Sequence, residues 1–105
     1  MIIVLGSVVA RDDTRADVLR LSQAHVARSL QEPGCLHHAV MPDLADPNRL
    51  VFVERWASAE DLFRHFAVPA SIDFARAMAA LAAAAPEIKL YEARELPLPP
   101  ALGGR

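Results

Sequence analysis

The sequence predicts an α+β domain in which helical stretches separate four strands, in the order β-α-β-β-α-β. Three observations carry that expectation. Apolar runs of strand length stand at residues 2–10, 35–41, 49–56 and 88–93. Between the first and second of them, and again between the third and fourth, apolar residues recur at three- and four-residue spacing. Pro33-Gly34, Asp46-Pro47-Asn48 and Val68-Pro69 punctuate the boundaries. A chain of 105 residues holds one core and no second.

The first run is β-branched and broken only by Gly6-Ser7, which suits a strand buried on both faces. Asp12-Asp13-Thr14 offers helix N-cap chemistry, with Asp17 three residues after Thr14 as a capping-box-like partner. The first helix is expected to bury Leu19, Ser22, Val26 and Leu30 and to turn Asp17, Arg20, Arg28 and Gln31 to solvent, stopping at Pro33-Gly34. The second and third strands form a hairpin about the Asp-Pro-Asn turn. Ser58-Ala59-Glu60-Asp61 opens a second helix, in which Leu62, Phe63 and Phe66 share one face as far as Val68-Pro69. A further helix restarts there on Ile72, Phe74, Ala75, Met78 and Leu81, extends through the alanines 82–85, and closes at Pro86. Residues 1–94 make the domain, and 95–105 an extended Pro/Gly-rich tail with a flexible end.

This order is the ferredoxin-like, split-βαβ arrangement, with both helical regions on one face of an antiparallel sheet. Val51 and Val53 alternate with Leu50 and Phe52, so the other face is apolar too and calls for a second subunit. The hydrophobic content of 53% leaves room for both a core and such an interface. A formal charge of −2, with Arg11, Arg15, Arg20 and Arg28 interspersed among acids, argues against nucleic acid. Cys35 is the one cysteine, which excludes an intrachain disulfide, and no secretory signal or membrane span is evident; a cytoplasmic location is the expectation.

The segments EPGCL, DPNRLVFVERW, LFRHF and IKLYEA, taken in order across residues 2–93, resemble the antibiotic biosynthesis monooxygenase domain family. The resemblance implies a homodimer in which two ferredoxin-like subunits pack sheet to sheet as a dimeric α+β barrel. It also implies a range of chemistries: cofactor-free monooxygenases of polycyclic phenols and quinols, haem-degrading enzymes and an isomerase. Fold does not choose among them.

The candidate residues are four histidines and a set of aromatics. His37 and His38 are successive residues of a strand and so face opposite ways. His38, in phase with Leu36 and Val40, belongs to the helix-covered side, as a pocket residue or a hydrogen-bonded core imidazole. His37, in phase with Cys35 and Met41, belongs to the subunit-facing side, and a bulge after Pro33-Gly34 would exchange the two. His65 flanks the Leu62-Phe63-Phe66 stripe and is the leading catalytic candidate, with His38 beside it. His25 borders the first helix's stripe near Val18, Leu21 and Ser29. Trp56 resembles the family tryptophan that lines the pocket between sheet and helices, and Tyr91 the family's recurrent last-strand tyrosine. Phe52, Phe63, Phe66 and Phe74 are the remaining substrate-binding candidates. Cys35 reads as a small core residue.

No GxGxxG, P-loop, HExxH or CxxC occurs, so neither a resident cofactor nor a metal site is expected. A phenolate or enolate can itself reduce O₂, and such an enzyme needs a base and a dry pocket. The leading expectation is therefore cofactor-independent oxygenation of a quinol, polyphenol or similar flat aromatic, with His65 or His38 as base. A non-catalytic, ligand-binding or structural dimeric barrel stands second. Haem binding or degradation through His65 stands third, because Gly6-Ser7 occupy the place of the first-strand amide side chain that the haem-degrading relatives carry.

Overall fold

Among the described residues of the computed structural model, β1 (Ile2–Val9), α1 (Arg15–Ser29), β2 (Cys35–Pro42), β3 (Arg49–Trp56), α2 (Ala59–Ala67), α3 (Pro69–Leu81) and β4 (Glu87–Glu92) follow one another, and the tail, expected to be extended, ends in a short 3-10 turn, Pro100–Leu102. The structure describes residues 1–103, and the last two residues of the expected flexible tail, Gly104 and Arg105, lie outside that range. The sheet order is β2-β3-β1-β4 with every neighbouring pair antiparallel, the ferredoxin-like topology that the element order demands. Register divides its residues cleanly. Ile2 pairs with Trp56, Val4 with Glu54, Gly6 with Phe52 and Val8 with Leu50, and these side chains share the face that the helices cover. Ile3, Leu5, Ala39, Met41, Val51, Val53 and Tyr91 stand on the other face, which no described helix covers.

Local chemistry sets several boundaries differently from the sequence expectation. Thr14 does occupy the α1 N-cap position, but its side chain makes no cap bond. Its hydroxyl donates instead to the Leu81 carbonyl at 2.8 Å and so ties the start of α1 to the end of α3. The stripe that α1 buries is Val18, Ser22, His25 and Ser29, while Leu30 is exposed. Small polar side chains occupy this face because helix and sheet approach closely; Ser29 returns its hydroxyl to the His25 carbonyl at 2.7 Å. Arg28, expected in solvent, is half-buried and bonded to His25.

In α2 Ser58 is the N-cap: its Oγ accepts from the Asp61 N–H and donates to the Asp61 carboxylate. The buried pair of that helix is Leu62 and His65. Phe63 is the residue turned outward, 56% exposed. Pro69 opens α3 at its first turn, where a missing N–H costs nothing. The alanines do not prolong α3. Ala82 turns extended and pairs with Ala10, and the Ala83 N–H donates to the Val9 carbonyl at 2.7 Å, so sheet-edge hydrogen bonds override helix propensity.

A β-bulge lies between Cys35 and His37. Cys35 pairs with Trp56 and packs with it against the helix-side cluster, Leu36 is pushed out to 52% exposure, and regular pairing resumes at His37 with Arg55. Cys35 therefore shares a face with His38, against the strict alternation expected. The bulge ends before the histidines, and they keep their assigned sides: His38 is 4% exposed and His37 lies in solvent.

Gly34 makes the turn into β2 possible. Its φ is +79°, its carbonyl accepts from the Ala57 N–H at 2.8 Å, and a Cβ there would fall inside the Asp61 side chain. Gly34→Ala is thus expected to cost about 2–3 kcal/mol, through backbone strain and displacement of the α2 capping residue. Urea unfolding should show a lower midpoint at unchanged slope, and an unshifted midpoint would refute this account of the turn.

Candidate functional site

Between sheet and helices lies a cavity of about 630 Å³. Phe52 and Glu54 of β3, His38 of β2 and Gly6 of β1 form its floor; His25 of α1, His65 and Phe66 of α2, and Ser71, Phe74 and Met78 of α3 form its walls. Gly6 admits the approach of β4, since a Cβ there would stand 3.3 Å from the Glu87 carbonyl oxygen. Three imidazoles meet inside. Their ring centroids are separated by 5.4 Å for His25 and His38, 5.1 Å for His25 and His65, and 6.1 Å for His38 and His65.

Each ring has a different environment. His65 is 3% exposed, and its Nδ1 lies 2.9 and 3.2 Å from the two carboxylate oxygens of Glu32. A carboxylate oxygen accepts, so Nδ1–H is the donor of this pair, and in the neutral form of the ring the lone pair lies on Nε2. Glu32 arrives from the turn after α1, where its own N–H donates to the Ser29 carbonyl at 2.9 Å. Trp56 lies against His65 with centroids 4.7 Å apart and donates its indole N–H to Glu54 Oε1 at 2.9 Å. His25 stacks flat on Phe74, with centroids 4.0 Å apart, and accepts at Nδ1 from Arg28 Nη2 at 2.8 Å. That contact fixes its proton on Nε2. His38 differs from both, for neither ring nitrogen has a hydrogen-bond partner among the described residues, and Glu54 Oε2 stands 3.7 Å from its Nε2.

Burial is the first cause of the charge state here. It lowers His25 from its usual 6.5 to about 3, with the neighbouring imidazoles His38 and His65 and then Arg28 adding to the effect. It lowers His38 to about 4, with His65 and His37 contributing after it. Burial raises Glu54, against the Trp56 hydrogen bond that holds it down. It also raises the Cys35 thiol, which is consequently a packing group rather than a nucleophile. Among the described residues, no group of three or more His, Cys, Asp or Glu side chains is arranged to hold a metal ion.

The cavity gathers His25, His38, His65, Phe52, Phe66 and Phe74. Three other sequence candidates lie elsewhere. Trp56 is fully buried behind His65 and does not reach the cavity, because the α2 helix seats the imidazole in front of the indole. Phe63 faces out, one helical step off the buried stripe. Tyr91 pairs with Ile3 and so lies on the uncovered sheet face. Glu54 and Ser71 line the cavity, and Glu32 and Arg28 act on its imidazoles, without having been singled out from the sequence. Glu54 was readable, since it alternates with Phe52 and Trp56. Glu32 was not, because a loop residue's reach depends on how the turn folds.

The two depressed histidines predict acid sensitivity. Above pH ~6.5 both are neutral whether folded or not; below it the unfolded chain takes up protons that the native state refuses, so stability falls until the native values are reached. Glu54 opposes this in part, because the native state binds its proton more readily. Each histidine should contribute on the order of 2 kcal/mol of loss by pH ~5. Urea unfolding of the wild type and of His38→Phe at neutral and mildly acid pH checks this, and equal pH slopes in the two proteins would contradict it.

Three kinds of comparison bear on what this chain is. The family model described as antibiotic biosynthesis monooxygenase matches residues 1–77. An uncharacterized protein of Synechocystis sp. is 31% identical over 94 residues, which cover 90% of this chain and only 64% of that relative's length. A crystal structure of a candidate antibiotic biosynthesis monooxygenase from Deinococcus radiodurans superposes with a TM-score of 0.87 at 28% identity, over 91% of this chain and 95% of the other. Another, of an antibiotic biosynthesis monooxygenase, gives 0.83 at 25% identity, over 90% and 100% of the two chains. No described helix is long and apolar enough to cross a membrane. With the ferredoxin-like sheet, the helix-covered cavity and a family match over most of its length, the chain belongs to the antibiotic biosynthesis monooxygenase family.

Proposed function

We propose that the protein is a cofactor-independent monooxygenase of a quinol, polyphenol or similar flat aromatic, that it works as a homodimer, and that His65 is its general base. The observation that carries the reading is the carboxylate–imidazole dyad on a largely apolar cavity: Glu32 holds Nδ1–H, and Nε2 is left to take a proton. His38, the other candidate, lacks such a partner, and its lowered pKa makes it the poorer base.

In this mechanism His65 Nε2 removes the phenolic proton, and Glu32 stabilises the imidazolium that forms. The phenolate transfers one electron to O₂, and the resulting radical pair recombines at a hydrogen-bearing ring carbon as a peroxide anion, which takes back the proton from His65 to become a hydroperoxide. Loss of that carbon's own proton with cleavage of the O–O bond expels water and leaves a carbonyl. One oxygen atom enters the product and the other leaves as water. Phe52 and Phe74 line the cavity against the ring, with the partly exposed Phe66 at its rim, and limit hydration of the phenolate, which leaves it a stronger reductant.

Haem fits this site poorly. Trp56, His25 and Phe66 surround the His65 ring at centroid distances of 4.7, 5.1 and 5.8 Å, whereas a porphyrin reaching Nε2 needs a clear plane there. The homodimer reading rests on the uncovered sheet face, where Leu5, Met41 and Tyr91 are each more than 40% exposed beside Val51 and Val53.

Oxygen uptake by chelator-treated protein with a panel of hydroquinones and naphthols, with labelled O₂ to follow one atom into product, tests the chemistry. His65→Ala should lose about 100-fold or more in rate, and Glu32→Gln roughly tenfold with a displaced pH profile. Uptake that does not depend on the protein, or that both variants leave intact, would refute it, and saturable binding without turnover would favour a non-catalytic barrel. For assembly, Val53→Glu should convert a dimer to monomer in sedimentation; a wild type that is already monomeric at micromolar concentration would remove the dimer from the proposal.

A further inference from the structure

One polar pair in the cavity is left incomplete by the protein itself. His38 Nε2 and Glu54 Oε2 are 3.7 Å apart, beyond hydrogen-bonding reach, yet their side chains are only 1% and 8% exposed. Both line the cavity. Glu54 Oε1 is occupied by the Trp56 indole N–H, which holds the carboxyl group in place and leaves Oε2 free of that bond. His38 has no partner at Nδ1 either. Buried polar atoms are rarely left in this state without something to satisfy them.

We propose that His38 and Glu54 form a clamp for a ligand hydroxyl, so that the cavity takes a flat aromatic bearing oxygen functions at two separate positions, one at His65 and the other at this pair. Both His38 ring nitrogens are closed off from water in this structure, so the ring or a wall residue shifts as the ligand enters, and a hydroxyl oxygen about 2.8 Å from each atom then closes the gap. A hydroxyl both donates and accepts, so it satisfies the pair whichever member holds the proton. An ether or carbonyl oxygen, which only accepts, leaves one member orphaned, and burial makes that costly. The buried Ser71 Oγ, also unpartnered, stands on the same cavity wall. The clamp rests on the aromatic-ligand reading of the site, but it concerns binding and not oxidation.

The test is anaerobic equilibrium binding, read by the fluorescence of Trp56, the chain's one tryptophan, which touches both His65 and Glu54. The probes are the isomeric dihydroxynaphthalenes, 2-naphthol, and the methoxynaphthols in which the second hydroxyl is methylated. The best diol should bind at least about tenfold tighter than 2-naphthol and than its own methyl ether, about 1.4 kcal/mol. In His38→Phe, and separately in Glu54→Met, that ratio should shrink to within about twofold. If either variant fails to fold, the wild-type series still decides. A ratio near one in the wild type, the same ratio in wild type and folded variants, or no binding of any probe overturns the clamp. Oxygen uptake with no diol preference would sink the clamp alone; diol preference without oxygen uptake would sink the monooxygenase reading alone.

Discussion

Four ionisable side chains, His25, His38, His65 and Glu54, are held out of water in one layer between sheet and helices, and the neighbouring hydrogen bonds and rings offset the cost of that desolvation. Glu32 and Arg28 answer two of the imidazoles, the Trp56 indole answers the carboxyl, and Phe74 lies flat on His25. The placement of the surrounding elements follows. α1 must bring small residues, Ser22 and Ser29, to the same face as His25, or the helix could not come close enough for the three rings to meet. α2 must bury His65 at the expense of Phe63.

The sheet was the legible part of this molecule, because period-two alternation is a strong signal when one face is covered. Leu50, Phe52, Glu54 and Trp56 could be assigned to one side, and His37 and His38 to opposite sides, from order in the sequence alone. Helical faces were harder. The residues that α1 and α2 bury include serines and histidines, which a hydrophobic pattern passes over in favour of Leu30 or Phe63. The alanine run misled for a different reason: propensity is a local quantity, and the pairing of Ala82 with Ala10 is a tertiary one. The site was half readable. Its imidazoles stood out as residue types, whereas the carboxylate that orients one of them sits 33 residues away, in a turn whose path Gly34 decides.

Membership of a family brings a scaffold whose chemistry lies in the side chains placed upon it. In this chain the walls are histidine-rich, the tryptophan is a buried support rather than a wall, and the last-strand tyrosine belongs to the other face of the sheet. In the proposed reading, proton transfer and ligand recognition fall to different imidazoles. The dyad of His65 and Glu32 has its geometry completed within the protein, while His38 and Glu54 are buried side by side without a hydrogen bond between them.

The bulge at Leu36 has a bearing on colloidal behaviour. β2 is an outer strand of the sheet, so one row of its backbone groups has no neighbour, and such edges invite strands from other molecules. The extra residue breaks the regular ladder near one end of that edge, and Pro42, which has no N–H to offer, terminates the other. Between them the regular stretch from His37 to Met41 spans five residues, short for a foreign strand to dock against. The irregularity that displaces Leu36 into solvent therefore also keeps this side of the sheet from serving as a template for fibrous growth.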